Sequence, residues 1–342
     1  MKLLSEPEVT REQIQVILEH HRKEPVSILT LERYKGTGFS SFTSTVTYEV
    51  ALADDTSFLV KVSPPAASAA VEYAPNTLAQ EHALLQQLSA QTAIPLPHTH
   101  ALDTSLTLVP YPYLLLSRPR GVSLAHARTA GLLSARQALL LDLRLGALLQ
   151  QLHAVQNDWF GLPAQAADGL YSWQEAFTLL LEGLLVEAEA RGVPADYTAI
   201  RQGLSRAIAF FLFDDCEVPS LVSFAGDEGA VFVDIDAVKA EEEEVPVTVF
   251  LSFSHALWGD PLLETMLMDP SAALTEGYGG TLIVFPRQRT KRIWYTLFLA
   301  LMVLVSAERE KEERRGYDEG KIEWARTALG RCIEQLKDAP YY

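Results

Sequence analysis

Three carboxylates in the stretch 211–237, FLFDDCEVPSLVSFAGDEGAVFVDIDA, stand where acid–base or metal chemistry is usually built. Asp215 follows an apolar run, and Asp234 and Asp236 end an apolar strand. A carboxylate at a strand end is held by a rigid frame yet open to a cleft, where it can take a proton or bind a cation. The same pattern also suits a plain β-hairpin with acidic turns, so the rest of the chain has to decide between the two. Lys61 lies between Val60 and Val62, and alternation along a strand turns it to the face opposite the valines. It is either an edge-strand solubiliser or a cation reaching into a cleft. Glu81 stands three residues after Leu78 on an amphipathic pattern, which turns it partly inward, where it needs a cation. Lys61 is the candidate.

The elements that would position these residues change character along the chain. Residues 10–23 carry the period of a short helix with a threonine N-cap. Three antiparallel strands are expected over 26–62, with a Gly/Ser-rich loop at 36–45 that contains Gly36 and Gly38. Such a loop is either a flexible hairpin connection or a backbone cradle for phosphates. A helix over 76–88 and a strand pair, 105–109 with 113–117, complete this part, and a turn at 118–121 leads into helices at 135–153, 173–190 and 195–210. His153, at the end of the leucine-rich first of these, reads as a capping or core histidine. The WGDP segment, 258–261, is expected to open another helix, and two long helices, 289–308 and 318–336, close the chain.

Bulk properties exclude several classes. The 342 residues carry a formal charge of −16, which repels nucleic acid and anionic membranes and favours cationic partners. Two cysteines, Cys216 and Cys332, allow no disulfide framework and suit a reducing compartment. The opening residues lack the pattern of a signal peptide, and the apolar run 293–307 is shorter than a membrane span and flanked by charge. A cytoplasmic protein is expected.

In this order the landmarks resemble the aminoglycoside phosphotransferase and choline kinase family, over residues 31–307. FLVKV with Lys61 is similar to that family's strand lysine, LAQEHALL with Glu81 to its helix glutamate, and LLLSRPRG to its hinge. ALLQQLHAVQNDWFG matches LLxxLHxxxxxxFG, and WGDP and Gly277-Tyr278 recur as later landmarks. Against the family's HGDxxxxN loop, FDDCEVPS places Phe213, Asp214, Asp215 and Ser220 at the His, Gly, Asp and Asn positions. The resemblance implies an α+β, bilobal, protein-kinase-like fold: an N-lobe over 1–117 with a small antiparallel sheet, and a helical C-lobe over 118–342. It further implies ATP held by Gly36, Gly38, Lys61, Glu81, Ser117 and Arg118, with Mg²⁺ on Asp234, Ser220 and Asp236. Asp215 would orient the hydroxyl of a small cationic acceptor. The family passes from its metal acid to WGDP in a few residues, so 239–255 is expected to be an insertion. Two functions follow: a phosphotransferase acting on an alcohol group, or a catalytically weakened relative that binds nucleotide or a partner.

Overall fold

The computed structural model of the chain describes residues 9–64, 73–238, 240, 243–250, 252–310 and 317–340. Helix α1 (Arg11–Arg22) opens with a capping box between Thr10 and Gln13, so its first free N–H groups are satisfied locally. Strands β1 (Ile28–Arg33), β2 (Val46–Leu52) and β3 (Ser57–Val62) form the expected antiparallel meander. A second capping box, Thr77 with Gln80, starts α2 (Leu78–Gln91). Strands β4 (Thr99–Asp103) and β5 (Tyr113–Ser117) complete a five-stranded sheet in the order β1-β2-β3-β5-β4.

The fourth strand is 99–103 and not the expected 105–109. Asp103 accepts from the backbone N–H of Ser105 at 2.7 Å, and Leu106 adopts φ 59, which together turn the chain out of the sheet. Alternation then divides the sheet's two faces. Val60, Val62 and Leu115 pack under Ile14, Ile17 and Leu18 of α1, while Leu59, Leu114 and Leu116 pack toward Leu84, Leu85 and Leu88 of α2.

Beyond Ser117 the chain passes through β6 (Val122–Ser123) into α3 (Leu124–Thr129), α4 (Ala135–His153), α5 (Trp173–Ala190) and α6 (Tyr197–Ala209). Short strands follow: β7 (Ser220–Val222), β8 (Val231–Val233), β9 (Val247–Phe250) and β10 (Leu257–Gly259). β7 pairs with β10, and β8 sits between β6 and β9. Val247–Phe250, inside the stretch expected as an insertion, is therefore an integral strand whose Phe250 lies opposite Val231. Asp260 caps a single 3₁₀ turn, so WGDP opens no α-helix. Helices α7 (Ala272–Tyr278), α8 (Pro286–Glu310) and α9 (Glu319–Lys337) end the fold. α8 is longer than the apolar run within it and is, by length and composition, able to cross a membrane; 94% of its apolar window is buried in this core.

Candidate active-site cleft

Lys61 faces Thr47 on one neighbouring strand and Leu114 on the other, on the α2 side of the sheet. Its ammonium is ion-paired to Glu81, whose side chain is 2% exposed. The second oxygen of Glu81, Oε1, is buried with no hydrogen-bond partner among the described residues, so Lys61 carries its compensation. Lys61 lines a cleft of about 340 Å³ walled by Val46, Leu59 and Leu116, by Gly36 and its loop, and by Gly229, Ala230 and Ser252. Its charged lining among the described residues is Arg33, Lys35 and Lys61, joined by hydroxyls such as Thr37, Ser41 and Ser254; no carboxylate lines it.

Gly229 and Ala230 of the cleft wall are the last residues of the loop between β7 and β8. β7 ends at Val222 and β8 starts at Val231, leaving eight residues, SFAGDEGA, the length of HGDxxxxN. The second residue of that motif is Gly, the residue that tolerates positive φ. The second residue here, Phe224, has φ 59, the backbone state a glycine would serve, now carried by a buried aromatic. The loop is tied down from below by Glu264, 0% exposed, which accepts from the Ser223 N–H at 3.0 Å and its hydroxyl at 2.7 Å. Thr265 donates its N–H to the Phe224 carbonyl at 3.3 Å. His153 Nε2 lies 3.4 Å from Glu264 and its Nδ1 2.8 Å from the Tyr278 hydroxyl, a core-bonded histidine. Counted in this register, Ala225 stands at the Asp position and Ala230 at the Asn position.

The expected site residues are dispersed. Phe213 is wholly buried among Phe177 and Tyr295, because the chain after α6 coils through turns and not a strand. Asp215 pairs with Lys291 at 2.6 Å in a different cavity, about 360 Å³, that also contains Ser220, Cys216 and Asp260. Burial works against the charge of Lys291, but the carboxylates of Asp260 and Asp215 outweigh it and hold the ammonium above its ordinary range. Asp234 accepts from the Ala237 N–H at 3.2 Å in the β8–β9 turn, and Asp236 is exposed beside it. Ser220 on β7 thus belongs to a separate two-stranded ladder, and the three proposed metal ligands do not converge. The Ser117 hydroxyl bonds His100 at 2.8 Å and Arg118 pairs with Glu49, so neither reaches the cleft, whereas Gly36 does.

The residues present do not fit Mg²⁺. That ion is held by one or two carboxylates plus phosphates and water, and among the described residues no carboxylate lines the cleft. In the family, the metal acid precedes WGDP by a few residues. The strand leading there is β9, and the first described residue after it is Ser252, on the cleft wall.

The glycine loop is fastened to the C-lobe. Gly38, at φ +87, sits so close to Asp227 that a Cβ would fall 2.0 Å from its carboxylate, and Phe39 donates its N–H to Asp227 at 2.9 Å. Burial raises the Asp227 pKa; the Phe39 N–H and Lys321 of α9 work against that rise. Lys321 also lies 4.1 Å from the centre of the Phe39 ring, and Phe42 stacks on Tyr317. His255 bonds the Phe42 carbonyl through Nε2 at 2.8 Å and the Tyr73 hydroxyl through Nδ1 at 2.8 Å. Complete burial holds its pKa down at about 4, against an ordinary 6.5. The folded state therefore binds fewer protons than the unfolded chain between those values. The stabilisation is complete above pH 6.5 and is lost as pH falls toward 4, by about 1.4 kcal/mol per pH unit. Urea titrations at pH 7 and pH 5 should show a smaller drop in unfolding free energy for His255→Asn than for the wild type.

Sequence reading missed Ser223–Ala230, Glu264, Ser252 and the Arg33/Lys35 pair. Two apolar triplets, SLV and VFV, bracketing eight residues were the available signal.

With this geometry in view, comparison with known proteins places the chain in a class. Residues 35–213 match the model of the phosphotransferase enzyme family, APH, and the chain belongs to that family. The match covers more than half of the sequence and stops short of the loop at 223–230. A protein from Ralstonia eutropha JMP134, assigned as an aminoglycoside phosphotransferase, superposes with a TM-score of 0.62 at 12% identity, over 97% of this chain and 99% of the other. The GDP complex of wild-type aminoglycoside 2'-phosphotransferase-IIIa gives 0.59 at 14%, covering 96% and 99%. The macrolide 2'-phosphotransferase MphH of Brachybacterium faecium gives 0.53 at 17%, covering 93% and 98%. At such identities the likeness is one of fold: α+β and kinase-like. No curated protein sequence matches.

Proposed function

We propose that this member of the phosphotransferase family binds a nucleotide, with ATP the first candidate, in the cleft of Lys61, and that it has lost phosphoryl transfer. One observation carries the reading. The Lys61–Glu81 pair is formed, while Ala225, Ala230 and Ser252 stand where the family places its acceptor-orienting and metal-binding side chains. Phosphoryl transfer depends on positioning and charge neutralisation, and two methyl groups and a neutral hydroxyl supply no charge for it. A reducing, nucleotide-rich compartment such as the cytoplasm suits a chain whose two cysteines are free thiols.

The competing reading, transfer to a small cationic acceptor, draws on a neighbouring cavity of about 1070 Å³ whose wall includes Asp142, Asp227, Glu228, Asp269 and Asp318. Asp227 would then have to act as base, yet it is engaged by the N–H groups of Phe39 and Gly229 and by Lys321 at 3.7 Å. A thermal-shift titration with ATP, followed by ATP-consumption assays over amino alcohols and aminoglycosides, separates the readings. Stabilisation without consumption is expected; consumption with any acceptor establishes the competing reading, and no shift refutes nucleotide binding.

A further inference from the structure

We propose that helix α9 positions the glycine loop for the nucleotide: Lys321 and Trp324 latch the loop to the C-lobe in its binding conformation before any ligand arrives. This rests on the nucleotide reading above and goes beyond it in giving a role to the last helix of the fold. Glycine loses more conformational freedom on ordering than any other residue, so a free loop with Gly36 and Gly38 would pay heavily to close on a ligand. Here that freedom is removed in advance. Phe39 and Phe42 are buried in the C-lobe core, together with Phe224 and Phe298. Lys321 and Trp324 stand one turn apart on α9 and reach the same ring: the Lys321 ammonium lies 4.1 Å from the centre of Phe39, and Trp324 meets it edge-on at 4.8 Å. The same ammonium is 3.7 Å from Asp227, which accepts from the Phe39 N–H. Ile322, Ala325, Ala328 and Leu329 fix α9 itself in that core.

The latch also separates two spaces. Gly36, Thr37, Ser40 and Ser41 line the Lys61 cleft, whereas Phe39 lines the neighbouring cavity of about 1070 Å³ with Asp227, Lys321 and Trp324. The chain passes from one space to the other between Phe39 and Ser40, between Glu228 and Gly229, and between Tyr317 and Asp318. These three segments are the ones the latch joins. A loop released from α9 would open this partition and would have to be ordered again each time a nucleotide bound. Latch and nucleotide thus favour one loop conformation, and the coupling is reciprocal: nucleotide must strengthen the docking of α9.

Isothermal titration of ADP into the full chain and its variants, with amide exchange of each, tests the assignment. Lys321→Ala and Trp324→Ala should each weaken ADP binding about tenfold, the penalty of ordering a released loop. Lys321→Arg keeps a cation over the ring and should bind within about twofold of the wild type. Without ligand, the bonded N–H groups of Phe39, Ser41 and Phe42 should exchange slowly in the wild type and about tenfold faster or more in Lys321→Ala. ADP should further slow exchange in α9. Unchanged or tighter ADP binding by Lys321→Ala, with its loop exchanging faster, would overturn the positioning role and leave the nucleotide reading intact. Fast exchange at these three amides in the ligand-free wild type would overturn the latch. A wild type with a slowly exchanging loop that binds no ADP would overturn the nucleotide reading, and with it the role of α9.

Discussion

Replacing Lys61 with methionine should lower the unfolding free energy by about 3–5 kcal/mol and abolish nucleotide binding. The stability loss comes from Glu81, whose side chain is 2% exposed and would be left buried with no cation beside it. Lys61→Met/Glu81→Leu should recover most of that stability, because an apolar pair of similar volume is often as good as a buried ion pair. It should not recover binding. Chemical denaturation of the four species in this cycle, with ATP titrations of the folded ones, separates the two roles of the lysine. A double variant that binds as well as the wild type would show that Lys61 serves only to neutralise Glu81.

The second large effect is expected at Glu264. Glu264→Ala removes the acceptor for the N–H and hydroxyl of Ser223 and takes away the carboxylate beside His153. Arg292, buried beside it and held to the Glu264 and Leu267 carbonyls, has its pKa lowered to about 10 by burial, and Glu264 is among the groups opposing that shift. A loss of about 3–5 kcal/mol is expected, as for other broken buried charge networks. Glu264→Gln keeps an oxygen for Ser223 and should cost less than half of that. Amide hydrogen exchange adds a local readout: protection across 223–230 should fall further than protection of the five-stranded sheet.

The uneven legibility of this chain follows from what each feature is made of. The N-lobe meander could be read from alternation and turn residues, and Glu81 could be turned inward from its distance to Leu78. These signals are properties of side-chain type along a regular element. The loop at 223–230 has the length of the family motif, eight residues between two strands, and a positive φ at its second residue, Phe224, but none of the side chains that define the motif. A search for carboxylates therefore settled on Asp215, whose actual partner is Lys291, far along the sequence on α8. Asp234 and Asp236 misled in the same way, since an acid at a strand end marks a hairpin turn as readily as a metal site. Strand β9 was hidden because the acidic run before it looked like an excursion, and only its pairing with β8 shows it to be part of the core. The cations at Arg33 and Lys35 carried no signal of their own; folding the loop over Lys61 gives them their shared wall.

The proposed function requires that this fold keep a nucleotide cleft and lack the side chains that move phosphate. The most direct measurement is ATP turnover with Mg²⁺ by the wild type beside the triple variant Ala225→Asp/Ala230→Asn/Ser252→Asp. No turnover above background is expected for the wild type, and a measurable Mg²⁺-dependent rate for the variant. A wild type that already turns over ATP at the variant's rate would contradict it.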